Sequence, residues 1–458
     1  MVKLTCTEIL EAVNGELQSG DLKSKAYGIS TDSRNINAGN LFIPLKGENF
    51  DGHDYIIDAL NKEASISLTH KDITQKTDKT IIKVEDTLKA LGDIAAYWRS
   101  RFNIPLVAIT GSVGKTSTKD MISAILSQKY NVLKNEGNFN NEIGLPLTLL
   151  KLDSFHEVII VEMGMRGLGE IQRLSLISKP NISVITNIGT SHIEKLGSKQ
   201  NILKAKMEII EGMNETGCVI LNGDDKLLGG AKDYIKYRKV MYGVNEKTDF
   251  QGYNLKSAGE EGSFFELLIN NAEYKFHVPV PGIHNVYNAL AAICVGIEMG
   301  ITPAKIISGL LEYKSGKMRM NIVVHKGLKI INDSYNASPE SVEAALNVLK
   351  ESGKGMRTIA VLGDMLELGE FSEKLHSDIG KFAASKNIDL IITVGKEACR
   401  ITFGAIESGM DKKNIVSFYN TTDANKFLDK NLNENDVILV KGSRGMKMEK
   451  VVEHLLAK

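Results

Sequence analysis

The sequence predicts an α/β protein of three domains: a small mixed α/β domain, a central domain with a parallel sheet, and an open, Rossmann-like α/β domain at the C-terminus. Three observations lead to this prediction. Apolar runs that end in glycine or a charged residue alternate with helical patterns, first from Pro105 and again after Gly316. The 458 residues suit three domains at roughly 150 residues each. The 41 glycines, against 8 prolines, are typical of strand-to-helix turns that bring backbone close to phosphates.

The order of these patterns sets the predicted domain boundaries. Residues 1–100 carry short, weakly periodic strands and form the first domain, which ends on a helix that stops before Pro105. Residues 101–315 form the central domain, in which strands alternate with helices before an antiparallel stretch. Residues 316–458 contain five further strand–helix units but no G-x-G-x-x-G, so nothing there favours a dinucleotide site. The helices predicted for the central domain cover residues 116–128, 201–213 and 285–299.

Composition excludes several classes of function. Lysine plus arginine (56) equals aspartate plus glutamate (56), so no overall basic field is available to bind nucleic acid or anionic lipid. No apolar run approaches the length of a membrane span, and the N-terminus lacks the apolar core of a signal peptide. Four widely separated cysteines suggest neither a zinc site nor a disulfide framework. We therefore expect a cytoplasmic protein that acts on small molecules.

The strongest chemical signal follows the first strand of the central domain. The segment reads G-S-V-G-K-T-S, between the strand P-L-V-A-I and an amphipathic helix. Backbone N–H groups at such a helix start can hold phosphate, a lysine can neutralise it, and a threonine hydroxyl can ligate Mg²⁺. The spacing is two residues shorter than the common G-x-x-x-x-G-K-[ST] loop, and the alternative is a glycine turn that only caps a helix. The predicted nucleotide-binding residues here are Gly111, Ser112, Val113, Gly114, Lys115, Thr116 and Ser117.

Further polar residues follow the next strands. Glu162 ends the strand E-V-I-I-V-E, and His192 follows the next strand within T-N-I-G-T-S-H. The carboxyl ends of parallel strands share one edge of a sheet, where a carboxylate could hold Mg²⁺. The alternatives are a solvated charge for Glu162 and an ordinary loop histidine for His192. The asparagine-rich turn between these elements contains Asn138, Asn140 and Asn141, and its alternative is a solvated loop.

Lys206 is unusual because of its place on a helix. At about 100° per residue it falls in the apolar stripe with Ile202, Ile209 and Met213. Its ammonium could reach solvent on a buried stem. If the ammonium is buried instead, it must find a partner, lose its proton or be modified.

Taken together, these segments resemble the Mur ligase family, whose members form amide bonds with ATP. The matching motifs are T-G-x-x-G-K-T-[ST], the G-N-F-N-N-E-I-G-L-P turn, T-N-x-x-x-x-H, A-K-x-E around Lys206, G-I-H-N-V-Y-N-A, G-K-M-R-M and N-D-S-Y-N-A-S-P. The resemblance implies that Asn285 approaches ATP, Arg319 the γ-phosphate and Asp333 the ribose. It also implies that CO₂ carboxylates Lys206, and that Thr116, Glu162, His192 and Lys206 ligate Mg²⁺, with two ions expected. Catalytic roles are implied for Lys115, Glu162, His192, Lys206 and Arg319.

Several blocks resemble one branch of the family, which joins D-Ala-D-Ala to UDP-MurNAc-tripeptide in peptidoglycan precursor synthesis. They are Thr31–Arg34, Leu41–His53, Asn332–Pro339, Gly363–Gly369 and Val440–Arg444. The D-[ND]-P-R signature of the branch that adds the third peptide residue is absent, and folylpolyglutamate synthases lack a comparable UDP-binding domain. The resemblance implies an acyl-phosphate mechanism. We expect a monomer, although the sequence carries no signal for the oligomeric state. Its implied substrate-binding residues are Ser30, Asp32, Ser33, Arg34, Asn138, Asn140, Asn141, Asn336 and Ser338.

Three alternatives stay open at this point: a third-residue-adding ligase, a relative of folylpolyglutamate synthase, or a P-loop switch that binds ATP without joining substrates. The third residue of the peptide substrate and the position of the dipeptide pocket are not determined by the sequence.

Overall fold

A computed structural model of the chain describes residues 2–73 and 77–457. In the N-terminal unit, β4–β7 run parallel in a five-stranded sheet, β2 pairs with β7 in the antiparallel sense, and β1 and β3 form a separate pair. The strands are β1 (Lys3–Thr5), β2 (Glu16–Ser19), β3 (Lys25–Tyr27), β4 (Ile29–Ser30), β5 (Leu41–Phe42), β6 (Ile66–Thr69) and β7 (Thr80–Lys83). The helices are α1 (Cys6–Val13), α2 (Ile56–Asn61) and α3 (Thr87–Ser100).

The central unit is built on a nine-stranded sheet in the order β16-β15-β14-β13-β12-β11-β8-β10-β9, with β8–β14 parallel and the last two strands antiparallel. Its strands are β8 (Leu106–Thr110), β9 (Val132–Lys134), β10 (Val158–Glu162), β11 (Ile182–Ile185), β12 (Cys218–Asn222), β13 (Arg238–Gly243), β14 (Phe250–Ser257), β15 (Ser263–Ile269) and β16 (Ala272–Val278). Its helices are α4 (Lys115–Leu126), α5 (Gly144–Leu149), α6 (Glu170–Ser178), α7 (Ile193–Leu196), α8 (Lys199–Met207), α9 (Lys226–Ala231), α10 (His284–Glu298) and α11 (Pro303–Leu311).

The predicted helix 201–213 is wrong at its C-terminal end. The α-helix stops at Met207, and a 3₁₀ turn, Glu208–Ile210, replaces its last turns. The Glu208 carboxylate accepts hydrogen bonds from the N–H groups of Gly169 (2.7 Å) and Gln172 (3.2 Å) at the start of α6. A tertiary contact therefore determines where this helix ends, and the apolar periodicity does not reveal it.

The C-terminal unit has a six-stranded sheet in the order β17-β18-β22-β19-β20-β21, in which only the edge strand β17 is antiparallel. The five predicted strands correspond to β18–β22, whereas β17, which carries the exposed Val324, was not predicted. The strands are β17 (Asn321–His325), β18 (Leu328–Asp333), β19 (Thr358–Gly363), β20 (Leu390–Val394), β21 (Ile415–Phe418) and β22 (Val437–Lys441). The helices are α12 (Pro339–Ser352), α13 (Ser372–Ser385), α14 (Cys399–Glu407), α15 (Thr421–Asn431) and α16 (Glu449–Ala457).

The three α/β units confirm the predicted fold class, while the exact boundaries at residues 100 and 315 stay predictions. Strand β8 lies between β10 and β11, and its alternate residues face two different core clusters. Val107 and Ile109 pack into the cluster with α4 and α10, and Leu106 and Ala108 into the cluster with α3 and α5. Burial on both faces fixes the strand from which the glycine-rich loop begins. Within the described ranges, no helix combines the length and apolar character needed to cross a membrane.

Candidate active site

A cavity of about 930 Å³ lies at the carboxyl edge of the central sheet, where the central and C-terminal units meet. In a doubly wound sheet, ligands usually bind at this edge. The binding point is where the connections that leave two neighbouring strands run to opposite sides of the sheet. The cavity is lined from the central unit by the glycine-rich loop, the end of β10, the loop after β11 and the start of α10. From the C-terminal side it is lined by Arg319, Asp333 and the start of α12.

The glycine-rich loop needs glycine at two positions. Gly111 has φ +150° and Gly114 has φ +84°, and a Cβ at these positions would lie 1.9 Å from Thr186 Oγ1 and 2.4 Å from Asn288 Oδ1. The Lys115 ammonium donates hydrogen bonds to the carbonyl oxygens of Gly111 (2.7 Å) and Ser112 (3.1 Å). Burial lowers the pKa of Lys115, an effect that the nearby Glu162 opposes. The lysine is therefore held inside the turn of the loop.

The loop after β11 braces the glycine-rich loop. Asn187 accepts a hydrogen bond from the Val113 N–H at its Oδ1 (2.9 Å) and donates from its Nδ2 to the Val113 carbonyl (3.0 Å). Thr186 Oγ1 donates to the same carbonyl (2.6 Å), and Ser112 Oγ accepts from the Gly189 N–H (2.8 Å). These bonds fix the T-N-x-x segment as a structural support, a role that the sequence did not indicate.

Thr116 and Glu162 meet at the floor of the cavity. Thr116 Oγ1 donates to Glu162 Oε2 (2.7 Å), and Asn140 Nδ2 donates to Glu162 Oε1 (2.9 Å). A hydroxyl and a carboxylate side by side are the oxygen ligands that Mg²⁺ uses when it keeps waters and substrate phosphates in its shell. Within the described residues, no group of three or more His, Cys, Asp or Glu side chains could hold a metal ion by itself. The donor set fits a Mg²⁺ ion that is shared with a nucleotide.

His192 lies in the left-handed region (φ +66°) directly before α7. Its Nδ1 is 2.5 Å from Oε2 of Glu367, which follows β19 in the C-terminal unit. The His192 contact holds the pKa of Glu367 below its ordinary value. The structure thus joins His192 to a carboxylate that the sequence analysis did not single out, and a role of His192 as a metal ligand stays a prediction.

Lys206 lies on the buried face of α8, and only 1% of it is exposed. Burial, with a contribution from nearby Lys115, lowers its pKa well below that of an ordinary lysine. Among the described residues, neither a hydrogen bond nor an ion pair satisfies its ammonium group. Since an unpaired buried ammonium is costly, these surroundings favour the uncharged amine of Lys206 over the ammonium.

The asparagines of α10 form a short chain of hydrogen bonds. Asn285 donates to the Pro281 carbonyl (2.8 Å) and accepts from Asn288 (3.0 Å), and Asn288 in turn accepts from the Thr118 hydroxyl (3.2 Å). Asn285 lies inside the first turn of the helix, because Ile283 occupies the cap position. Asn285 therefore lines the cavity through a side chain that the helix holds in place.

Arg319 reaches the glycine-rich loop from the segment that leads into the C-terminal unit. Its Nη2 donates to Thr116 Oγ1 (3.0 Å), and its guanidinium stacks on the Tyr335 ring at 4.1 Å from the centroid. The flanking Met318 (φ +59°) and Met320 (φ +50°) both have left-handed backbone, which is costly for methionine. The backbone is therefore strained on both sides of Arg319, whose side chain extends into the cavity.

Asp333 is tied to other groups of the C-terminal unit. Its Oδ2 lies 2.5 Å from the Lys441 ammonium, and its Oδ1 accepts from the Met320 N–H (3.2 Å). Asn336 accepts from the Arg444 N–H (3.3 Å). The buried Ser338 lies directly before α12, and its N–H donates to Ser341 Oγ (2.9 Å) in a capping box at the start of the helix.

Glu340, on the first turn of α12, crosses to the central unit. Its carboxylate accepts from the Thr190 N–H (2.8 Å) and from the Thr190 hydroxyl (3.1 Å). Sequence reasoning missed this residue, because nothing in the local pattern distinguishes it from a solvated glutamate at a helix start. Together, Glu340 and Glu367 hold the loop that carries His192.

The remaining predicted residues are placed differently. Asn141 Oδ1 accepts from the N–H groups of Ile143 (3.2 Å) and Gly144 (2.8 Å) at the start of α5, while Asn138 is exposed at the cavity. Ser30 ends β4, and the turn that follows holds Asp32, Ser33 and Arg34; none of the four lines the cavity. Within this turn Arg34 donates hydrogen bonds to Asp32, which lower the pKa of that carboxyl to about 2.

A glycine-rich, lysine-containing loop between a parallel strand and a helix, at the floor of a cavity between the central and C-terminal units, is typical of the class of P-loop proteins. Comparison with known sequences identifies the family within this class. Residues 25–99 match the profile of the Mur ligase family catalytic domain, residues 109–296 the Mur ligase middle domain, and residues 318–444 the Mur ligase glutamate ligase domain. The chain belongs to the Mur ligase family, which confirms the resemblance seen in its motifs.

Full-length relatives support the assignment. The chain is 40% identical to the UDP-N-acetylmuramoyl-tripeptide–D-alanyl-D-alanine ligase of Bacillus subtilis strain 168, covering 100% of this chain and 99% of the relative. It is 35% identical to the ligase of the same name from Escherichia coli strain K12, covering 99% of each. Among solved structures, MurF from Acinetobacter baumannii superimposes with a TM-score of 0.93 at 29% identity over 100% of both chains. MurF from Thermotoga maritima in complex with ADP gives 0.84 at 28% identity, over 94% of this chain and 97% of that one.

Proposed function

We propose that this protein is an ATP-dependent amide ligase that joins D-Ala-D-Ala to UDP-MurNAc-tripeptide and so makes the pentapeptide precursor of peptidoglycan. The observation that carries the proposal is the full-length 40% identity to a relative with this name. The convergence of Lys115, Thr116, Glu162 and Arg319 at one cavity supplies the groups that phosphoryl transfer needs.

The reaction has two steps. The γ-phosphoryl group of ATP passes to the terminal carboxylate of the tripeptide, and ADP leaves. The amine of D-Ala-D-Ala then attacks the acyl phosphate, forms the amide, loses a proton and releases phosphate. Lys115 and Arg319 offset the charge on the transferring group from two directions, since one belongs to the loop and the other to the segment entering the C-terminal unit. Packing of that unit over the cavity excludes water from the acyl phosphate.

Mg²⁺ would supply further charge neutralisation for the phosphates. Thr116 and Glu162 are the proposed ligands with direct geometric support, because their oxygen atoms already adjoin. His192 and Lys206 complete the proposed ligand set for two ions. CO₂ would bond to the unprotonated Lys206 amine with loss of a proton, and the resulting carbamate gives two anionic oxygens where an ammonium would be unpaired. A Lys206→Ala enzyme that keeps wild-type turnover would exclude this role.

The nucleotide and the two substrates are proposed to contact different units of the chain. The proposed nucleotide-binding residues are Gly111, Ser112, Val113, Gly114, Lys115, Thr116, Ser117, Asn285, Arg319 and Asp333. The turn Ser30–Arg34 holds the UDP-sugar, and Asn138, Asn140 and Asn141 face the peptide. Asn336 and Ser338 are the proposed contacts of the dipeptide, because both line the cavity and the Ser338 hydroxyl at the start of α12 can donate to a carboxylate.

The proposal includes a monomer in the cytoplasm, where ATP is supplied. The residues proposed for the chemistry all lie on one chain, so the reaction needs no residue from a partner subunit, and the free thiols of Cys6, Cys218, Cys294 and Cys399 suit a reducing compartment. Sedimentation of the purified protein tests the monomer, and a stable dimer would exclude it.

The decisive assay measures phosphate release from ATP with UDP-MurNAc-tripeptide, with and without D-Ala-D-Ala. Release that requires both substrates, together with the pentapeptide product in a mass spectrum, supports the ligase. L-Ala-L-Ala serves as the control acceptor and should not replace the D,D-dipeptide. Release that is indifferent to both substrates would instead identify a P-loop switch.

A further inference from the structure

Asn135 lies directly after β9, and only 1% of it is exposed. Its Oδ1 accepts a hydrogen bond from the Glu162 N–H (2.9 Å), and its Nδ2 donates to the Glu162 carbonyl (3.1 Å). One side chain thus satisfies both backbone polar groups of the residue that ends β10. Asn135 lies outside the sequence motifs, because it precedes the asparagine-rich turn.

The strand pairing explains why this contact matters. Strands β9 and β10 pair in parallel from Val132↔Val158 to Lys134↔Ile160, and the ladder ends there. On its β9 side, Glu162 therefore lies two residues beyond the last paired position. The Asn135 side-chain amide makes the two hydrogen bonds that a longer β9 would have made, and it therefore holds the Glu162 backbone in place.

Asn135 also connects Glu162 to two neighbouring elements. Its Nδ2 donates to the Phe139 carbonyl (2.9 Å), directly before Asn140, whose own amide holds Glu162 Oε1. Its main-chain carbonyl accepts from the buried Lys119 ammonium on α4 (2.8 Å). The end of β10, the asparagine-rich turn and the helix that follows the glycine-rich loop are thus joined through one residue.

We infer that Asn135 is a positioning residue that sets the direction of the Glu162 carboxylate toward the metal–nucleotide complex. The inference rests on the proposed function for the role of Glu162, and Asn135 itself does not touch the reacting groups. Removing the Asn135 amide frees the Glu162 backbone and the turn that carries Asn140. The Glu162 carboxylate can then adopt orientations in which it cannot ligate the metal ion.

The test measures Mn²⁺ binding by electron paramagnetic resonance, with a non-hydrolysable ATP analogue and neither acceptor substrate. Mn²⁺ reports on the oxygen site that Mg²⁺ would use. We expect Asn135→Ala to raise the Mn²⁺ dissociation constant at least about tenfold. Asn135→Thr, whose hydroxyl can accept from the Glu162 N–H and donate to one carbonyl, should stay within about threefold of wild type.

Asn40→Ala is the matched control. Asn40 is similarly buried (5% exposed), accepts from the Asn37 N–H (2.9 Å) and donates to the Tyr27 carbonyl (2.8 Å), but lies in the N-terminal unit. Both alanine variants should lower the unfolding temperature, whereas only Asn135→Ala should weaken Mn²⁺ binding.

A wild-type Mn²⁺ constant in Asn135→Ala would overturn the inference and reduce Asn135 to a structural residue. If that variant does not fold, Asn135→Asp decides the matter, because it keeps the acceptor and loses both donated bonds. Asn135→Asp with wild-type Mn²⁺ binding would equally overturn the inference. Ligase assays on the wild-type enzyme stand apart: if they fail while Mn²⁺ binding responds to Asn135, the proposed function is wrong but the positioning role holds.

Discussion

The cavity has two walls that differ in how they are held in place. The wall formed by Gly111–Thr116, Glu162 and Asn187, here the P-loop wall, stands on three adjacent parallel strands of one sheet. The wall formed by Arg319, Asp333, Ser338 and Glu340, here the C-terminal wall, is joined to the central unit by side-chain contacts across a boundary between units. The first wall is supported by buried main-chain ladders, whereas the position of the second relative to the first depends on a few polar contacts.

The two walls are therefore expected to contribute to different stages of the reaction. Groups on a fixed sheet edge can be preorganised for phosphate, whereas groups on the other wall act only when the units meet. We therefore expect substitutions in the P-loop wall to abolish turnover and those in the C-terminal wall to lower it by degrees.

The largest expected effect is at Lys115. Lys115→Met removes the only cation that the glycine-rich loop supplies to the phosphates, so the turnover number should fall about 1,000-fold. Initial rates of phosphate release with both substrates measure this effect. Affinity for the UDP-sugar substrate should not change, and a loss of less than tenfold would contradict the role assigned to the loop.

Arg319→Lys tests the C-terminal wall where it contacts the P-loop wall. Lysine keeps the charge but loses the planar fork that bonds Thr116 and stacks on Tyr335, so turnover should fall about 100-fold. Lys317→Ala, an exposed cation two positions away, is the matched control and should keep wild-type turnover. Equal rates for wild type and Arg319→Lys would show that only charge matters there.

His284 gives a pH test of the surface between the walls. Burial lowers its pKa from 6.5 to about 4, although nearby Asp333 acts in the opposite direction. The unfolded state therefore binds more protons than the folded state below pH 6.5, and stability falls as the pH decreases. Between pH 7 and pH 5, wild type should lose about 2 kcal/mol more unfolding free energy than His284→Asn, as measured in urea. Equal losses of unfolding free energy in the two proteins would contradict this prediction, because they would mean that protonating the imidazole in the folded protein costs no stability.

The smallest expected effect is at Glu340. Glu340→Ala removes both bonds to Thr190, and because the glutamate is partly exposed, activity should fall about tenfold. Small-angle scattering should show a larger radius of gyration than for wild type. Glu343→Ala, one turn further along α12, is the control and should change neither quantity. An unaltered radius in Glu340→Ala would mean that other contacts hold the units together.

The two walls also differ in how far the sequence predicted them. The glycine-rich loop, Glu162 and the parallel strands were accessible because each depends on neighbours in the chain: a strand, two glycines with positive φ, and a helix start. Arg319 and Asp333 were found only through motif resemblance. Glu340, Glu367 and Asn135 were missed, because a glutamate at a helix start or an asparagine after a strand has an ordinary local explanation.

By itself the sequence determined the three α/β units, the order of their strands along the chain and the family, because periodicity and short motifs are local properties. The tertiary structure alone decided that Glu367 contacts His192, that Lys206 is buried beside Lys115, and that Asn135 holds the backbone of Glu162. These facts depend on which strand ends become neighbours and on how two units pack, and such contacts between distant residues leave no periodic trace in the chain.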